Sequence, residues 1–388
     1  MESIELFSGA GGLALGLSRA GIHHKALFEW NREACDTIRA NQARGIAHVK
    51  NWPLHEGDVR AMDFRRYGEG IDLVAGGPPC QPFSLGGKHK AFEDRRDMFP
   101  EMFRAVRELR PRAILVENVR GLVRQAFADY FEYIILQLSY PTLDRRDGED
   151  WTKHLSRLEQ HHTSGQGAEL EYRVVFRVLN AADYGVPQRR ERVFIVGFRS
   201  DLGIDWSFPE PTHSLGALLL DQWTSGEYWE RHGISRKARP SLPERFADRS
   251  RKLKAPTLPF EHRLAWRTVR DAIADLPDPT RRNEVLNHCA NPGARSYCGH
   301  TGSPLDEPAK TLKAGDHGVP GGENMLAYPD GSVRYFTVRE AARLQTFPDD
   351  YSFEGAWSEA MRQLGNAVPV QLAELLAANI RESLLARP

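Results

Sequence analysis

Four short apolar runs recur early in the chain: Ile4-Glu5-Leu6-Phe7, Lys25-Ala26-Leu27-Phe28-Glu29, Ile71-Asp72-Leu73-Val74-Ala75 and Ala113-Ile114-Leu115-Val116-Glu117. Each has the length of a strand, and longer amphipathic stretches separate them. That alternation predicts an α/β fold with a parallel sheet. Every run ends in a polar or glycine-rich turn, and open parallel sheets bind their ligands outside those carboxyl ends. The chemistry is therefore expected along one edge. Two later runs, Val174 to Leu179 and Val193 to Phe198, are joined by AADYGVPQRRER, which leaves no room for a helical crossover. They predict a hairpin at the sheet edge.

With 388 residues, 41% of them apolar, the chain has material for roughly two domains. From about Ile204 to Gly355 the composition shifts towards Pro, Arg, Trp and His, with turn signals at Pro209, Pro211, Pro256, Pro259, Pro277, Pro279, Pro292 and Gly321-Gly322. This predicts a smaller, loop-rich domain over 205–355, leaving 1–204 and 356–388 to the first. Val370 to Leu385, with Pro369 near its start, has the spacing of an amphipathic helix that returns to the first domain. The polar stretch from Pro141 to Glu171, with Gly148, Gly165 and Gly167, is expected to be an insertion of little catalytic interest.

The opening MESIELFSGAGG has no basic region followed by an apolar stretch, and no long apolar run follows elsewhere, so a soluble, cytosolic protein is expected. The four cysteines (Cys35, Cys80, Cys289, Cys298) form no CxxC pair, which suggests neither a disulfide framework nor a zinc site, and no metal is expected. Fifty-two basic residues balance fifty-two acidic ones. Locally the balance breaks: between Arg231 and Lys254, the bases Arg236, Lys237, Arg239, Arg245, Arg249, Arg251, Lys252 and Lys254 meet few acids, a candidate phosphate-contacting surface. A solvated loop would read the same way.

The motifs carry more. ELFSGAGGLALGLSRAG places Gly9, Gly11 and Gly12 in a turn between a strand and an apolar helix, where the backbone can approach a ligand closely. Glu29 ends the second run, where a carboxylate can bind ribose hydroxyls, and Asp58 could accept from an adenine amino group. By themselves these features fit a dinucleotide enzyme equally well. Gly76-Gly77-Pro78-Pro79-Cys80-Gln81-Pro82-Phe83-Ser84 is more specific, because prolines fix the backbone around Cys80 directly after a strand. A lone cysteine more often merely packs. Ser84 to Asp97 is polar and glycine-bearing, suited to a mobile lid or to an ordinary surface loop. Glu117 would share an edge with Cys80 if their strands are neighbours, and an acid there can donate a proton. Gln188-Arg189-Arg190-Glu191-Arg192 could grip phosphate, a base carbonyl or a carboxylate, or be a solvated turn.

Taken in order, ELFSGAGG, GGPPCQPFS, ENV, QRRER, REAARLQTFP and GNAVP resemble the DNA cytosine-5 methyltransferase family over the whole chain. The resemblance implies a Rossmann-like, S-adenosylmethionine-dependent catalytic domain with a mixed, mostly parallel sheet, completed by the C-terminal helix, and a target-recognition domain. It implies that Phe7, Ser8, Gly9, Gly11, Gly12, Glu29, Trp30, Asp58, Val59, Pro79, Phe99, Asn366 and Val368 hold the cofactor. Two positions depart from the family pattern: Glu5 stands where Asp is usual, and Phe99 where an aliphatic residue is common. Cys80, Glu117, Arg190 and Arg192 are implied as catalytic, and Gln81, Ser84, Arg190 and Thr311 as DNA contacts. Thr311-Leu312 matches a two-residue motif of the recognition domain.

The chemistry implied is attack of the Cys80 thiolate on carbon 6 of a cytosine flipped out of duplex DNA, in a positive field from Arg190, Arg192 and the cofactor. Glu117, holding a proton that burial would favour, would serve ring nitrogen 3, and Arg192 the base carbonyl. The setting implied is a restriction-modification system in the bacterial cytosol, with a partner endonuclease and the enzyme acting as a monomer. A transfer-RNA methyltransferase would use the same chemistry, although the large Arg- and Pro-rich segment favours DNA. A non-catalytic DNA-binding derivative would show a damaged PPC or ENV motif, and both are intact.

Overall fold

The computed structural model describes residues 1–79, 97–253, 262–298, 300–314 and 324–386. Seven strands form one sheet: β1 (Glu2–Leu6), β2 (His23–Glu29), β3 (Leu54–Glu56), β4 (Leu73–Gly76), β5 (Ala113–Val119), β6 (Tyr172–Asn180) and β7 (Glu191–Arg199), in the order β3-β2-β1-β4-β5-β7-β6. The first five strands in that order run parallel, and β7 is antiparallel to β5. All four early runs are strands, and the two later ones lie side by side at the edge. The chain winds outward from β1 through β2 and β3, then jumps back to add β4 and β5 on the other side. The strand order therefore reverses between β1 and β4, and a crevice opens at such a point.

Helices α1 (Gly12–Arg19), α2 (Arg32–Ala43), α3 (Phe99–Leu109) and α4 (Ala128–Ser139) serve this winding. Asn31 starts α2 by accepting from the Ala34 amide at 2.9 Å, satisfying one of the donors a helix start leaves open. Ile4, Leu6, Val74, Ile114, Val116 and Ile195 of the strands share one apolar core with Phe103 and Val106 of α3 and Tyr133 and Ile134 of α4. The insertion after α4 forms α5 (Trp151–Ser164), capped by Asp150 and ended by Gly165 at φ 66. It is packed: Leu155 and Leu158 join the core, and the ring of His154 meets Tyr133 Oη at 3.1 Å.

Two compact units emerge, one of Met1–Leu179, Glu191–Pro209 and Ala373–Pro388, the other of Asn180–Arg190 and Glu210–Leu372. The second contains α6 (Leu215–Leu220), α7 (Glu227–Arg231), α8 (Glu244–Leu253), α9 (Val269–Ile273), α10 (Val338–Leu344) and α11 (Trp357–Asn366). Its strands are short: β8 (His213–Ser214) with β9 (Leu264–Ala265), and β10 (Ser303–Pro304), β11 (Met325–Ala327) and β12 (Val333–Tyr335) in a small mixed sheet. Helix α12 (Val370–Leu385) begins there and belongs to the first unit from Ala373. Gly16 lets α1 approach it: a β-carbon at Gly16 would stand 2.7 Å from the Glu374 amide nitrogen.

These boundaries differ from the sequence expectation at two places. Residues 180–190 were expected in the first domain, yet Asp183 accepts from the Thr212 amide and from Trp266 Nε1, and Gln371 Nε2 donates to Tyr184 O. Residues 356–372 were expected there too, but Trp357 Nε1 donates to Phe336 O, and Gly365 lies against 313–314. Hydrogen bonds and close backbone packing between residues distant in sequence, invisible in composition, fix both segments to the second unit. Among the described residues no helix is long and apolar enough to cross a membrane.

Candidate active site

At the carboxyl end of β1 the backbone turns through Phe7 at φ 60, a left-handed conformation that strains a residue with a bulky side chain. Gly9 and Gly11 follow at φ 53 and 85. One carboxylate holds this turn to its neighbour: Glu29 Oε2 accepts from the Gly9 amide at 2.7 Å, while Oε1 accepts from Trp30 and Asn31 at 2.9 and 2.7 Å. Glu29 thus ties together the loops that follow two adjacent parallel strands. Ser8 is buried with no hydrogen-bond partner at its hydroxyl among the described residues, whereas Trp30 is 71% exposed. Gly12 opens α1 behind the loop.

Beneath the turn lies Glu5, 1% exposed, with neither carboxylate oxygen in a good hydrogen bond. Burial pushes its carboxyl well above the usual range; Glu29 adds to that, and the Ala14 backbone opposes it.

After β3, Asp58 caps the 3-10 turn Val59–Ala61 and binds Arg60 Nε through both oxygens at 3.0 and 2.9 Å. The Arg60 guanidinium holds the Asp58 carboxyl below its ordinary range. The Val59 and Phe99 side chains, expected at the cofactor, are buried, Phe99 edge-on to Tyr130.

β4 and β5 are indeed neighbours, with Gly76 opposite Val116. The chain leaves β4 through Gly77, buried Pro78 and exposed Pro79, and Asn118 Nδ2 donates to Pro78 O at 3.0 Å. Cys80, Gln81 and Ser84 lie outside the described residues, as does the expected lid up to Arg96. Glu117 is 7% exposed. In the antiparallel register Phe194 faces Glu117 and Arg192 faces Val119, so Arg192 is the diagonal neighbour of Glu117. Its Nε lies 2.9 Å from Glu117 Oε1, an ion pair not aligned as a hydrogen bond. A β-carbon at Gly77 would come within 3.3 Å of Glu117 Oε2, so glycine leaves room for this carboxylate.

In the second unit the expectation for Arg190 fails. Its side chain is 1% exposed and donates to Leu312 O at 3.3 Å and to Gly365 O at 2.8 Å. A guanidinium enclosed by carbonyls cannot reach a DNA phosphate; it holds two backbone segments together. Thr311, expected at DNA, donates its hydroxyl to Arg189 O at 2.7 Å. Asn366 is exposed at the end of α11, and Val368 is buried.

Sequence reasoning missed the amides that organise this unit. Gln188 donates to Gln345 Oε1 at 3.0 Å and accepts from the Leu312 amide at 3.0 Å, and Gln345 donates to Ala367 O at 3.1 Å. Both glutamines stand inside the motifs QRRER and REAARLQTFP, which was the available signal. Among the described residues no cluster of His, Cys, Asp and Glu could hold a metal ion.

The site thus has a carboxylate-tied glycine turn after β1, a proline turn after β4, and a carboxylate–guanidinium pair on β5 and β7. Comparison with known proteins adds identity. The family profile described as C-5 cytosine-specific DNA methylase matches residues 1–140 and 162–382, leaving out most of the α5 insertion. Type II methyltransferase M.Eco47II of Escherichia coli is 34% identical over 95% of this chain and 76% of its own length. M.NgoMIV of Neisseria gonorrhoeae, another Type II methyltransferase, is 33% identical over 98% of this chain and 97% of its own. Among solved structures, the S. pombe Dnmt2 methyltransferase superposes with a TM-score of 0.56 at 18% identity, covering 99% of both chains, a likeness of fold. Site motifs, sheet order and full-length similarity converge, and the chain belongs to the C-5 cytosine-specific DNA methylase family as a DNA cytosine-5 methyltransferase.

Proposed function

We propose that the protein methylates carbon 5 of a cytosine flipped out of duplex DNA, using S-adenosylmethionine and a covalent bond from Cys80 to carbon 6. The observation that carries this reading is the Glu117–Arg192 pair, at the carboxyl end of β5, beside the turn that leads into Cys80. Cytosine carbon 5 is a poor nucleophile until a thiolate adds at carbon 6. The addition places electron density on the ring, and Glu117 is the group that serves nitrogen 3, by a hydrogen bond or by proton transfer. Arg192 orients Glu117 and offers its outer guanidinium nitrogens to the base carbonyl. The enamine so formed takes the methyl group at carbon 5, and loss of the carbon-5 proton to water then expels Cys80 as thiolate.

The glycine turn fits the cofactor. Glu29 stands at the end of the second strand, where a carboxylate meets ribose hydroxyls, Trp30 presents an exposed indole for a purine, and the buried Ser8 hydroxyl offers a polar group. Phe7, Gly9, Gly11, Gly12, Asp58 and Pro79 complete the first unit's set, with Val59 and Phe99 as apolar backing. When bound, the cofactor supplies an electrophilic methyl group on a sulfonium. Similarity to Type II methyltransferases supports a restriction-modification role beside an endonuclease, in the bacterial cytosol.

The test is incubation of the purified protein with labelled cofactor and either duplex DNA or transfer RNA. Label in DNA, lost in Cys80→Ala, is the expected result; label in RNA alone overturns the reading. Bisulfite sequencing of DNA from cells expressing the protein would identify the target cytosine.

A further inference from the structure

The basic stretch ahead of Lys254 resolves, on folding, into paired and unpaired cations. Over residues 236–253 seven basic side chains meet two acidic ones, in a chain whose formal charge sums to zero. Arg239 is committed to Glu230, and Arg251 to Asp248 within one helical turn. Arg245 pairs with Glu307, a carboxylate only 8% exposed that also lies 3.7 Å from Arg189. Two guanidinium groups thus share one acid, and α8 is anchored through Glu307 to the segment carrying Gln188 and Arg190.

Arg249 and Lys252 are exposed and meet no acidic side chain among the described residues, as are Arg236 and Lys237 in the preceding 3-10 turn. Arg245, Arg249 and Lys252 are spaced i, i+4, i+7, which puts them in one row along α8. Ser250 is buried and Phe246 and Ala247 half-buried, so the helix turns its other side inward. The row extends roughly 10 Å along the axis, at 1.5 Å per residue. One DNA strand presents a phosphate about every 3.4 Å of duplex axis. Exposed cations along one helix face suit a polyanion's backbone and carry no pattern for reading bases.

We propose that Arg249 and Lys252 of α8, with Arg236 and Lys237, clamp one phosphate strand of the DNA substrate and contribute affinity without sequence preference. This rests on duplex DNA being the substrate. The test measures binding of the R249Q/K252Q double variant to a duplex the wild type methylates and to an unrelated duplex, across a salt series. Both affinities should fall by the same factor, the log–log salt slope should become shallower by about two, and the bisulfite pattern should stay unchanged. The charge-preserving R249K/K252R variant should keep the wild-type slope, which separates charge from any packing role. A double variant with wild-type slope on both duplexes overturns the proposal, as does one that binds anionic vesicles less well while its DNA slope is unchanged. A wild type that neither binds nor methylates DNA would instead overturn the substrate assignment.

Discussion

Two arginines separated by one residue illustrate how little a tract of like residues says about each member. Arg192 pairs with Glu117 beside the proline turn, whereas Arg190 is enclosed and holds the carbonyls of Leu312 and Gly365. Their variants should fail differently. Arg192→Ala should lower kcat about 100-fold or more in single-turnover methyl transfer, the scale of losing a donor at developing charge. Arg190→Ala should remove about 3 kcal/mol from urea unfolding, because two backbone acceptors lose a charged donor; its DNA salt slope should not move. Asn118 offers a third case. It holds Pro78 O two residues before Cys80, so Asn118→Ala should cut kcat roughly tenfold while cofactor affinity stays unchanged, since misplacing a nucleophile affects the chemical step. An unchanged kcat would leave Asn118 a purely structural tie.

At the level of elements, the central strands were readable because burial on both faces forces continuous apolar runs. β3 was not: Leu54-His55-Glu56 is three residues long, and only its pairing with β2 makes it a strand. The glycine turn, proline turn and ENV segment were equally legible, since special backbone chemistry leaves a residue signature. The side chains that buttress them were not. Glu29 binding the Gly9 amide, or Gln188 meeting Gln345, joins residues 20 and 157 positions apart, and no local pattern encodes that. Helix packing gives a prediction at this scale. At Gly16 an added β-carbon would meet backbone of α12, and backbone cannot swing aside as a side chain can. Gly16→Val should destabilise the protein by about 1–3 kcal/mol, read by chemical denaturation.

For the molecule as a whole, two titratable groups near α1, buried Glu5 and half-buried His24, oppose each other in their response to pH. His24 is held between Ser3 Oγ and Ala14 O, and burial lowers it from 6.5 to about 4. The unfolded chain takes up that proton first, so its contribution is full above about pH 6.5 and drains away as pH falls towards 4, reaching about 3 kcal/mol. Melting temperature should drop across this window. Glu5 runs the other way: raised in the fold, its contribution is present below the ordinary carboxyl range and is lost as pH rises through its folded value. Glu5→Gln should therefore raise the melting temperature at pH 8 and lose that advantage near pH 4. The discontinuous second unit constrains any exchange of segments between this chain and a relative. A chimera exchanging only 210–372 for a relative's counterpart would leave residues 180–190 behind. Gln188 and Arg190 would then face foreign partners, so both segments must travel together as one cassette.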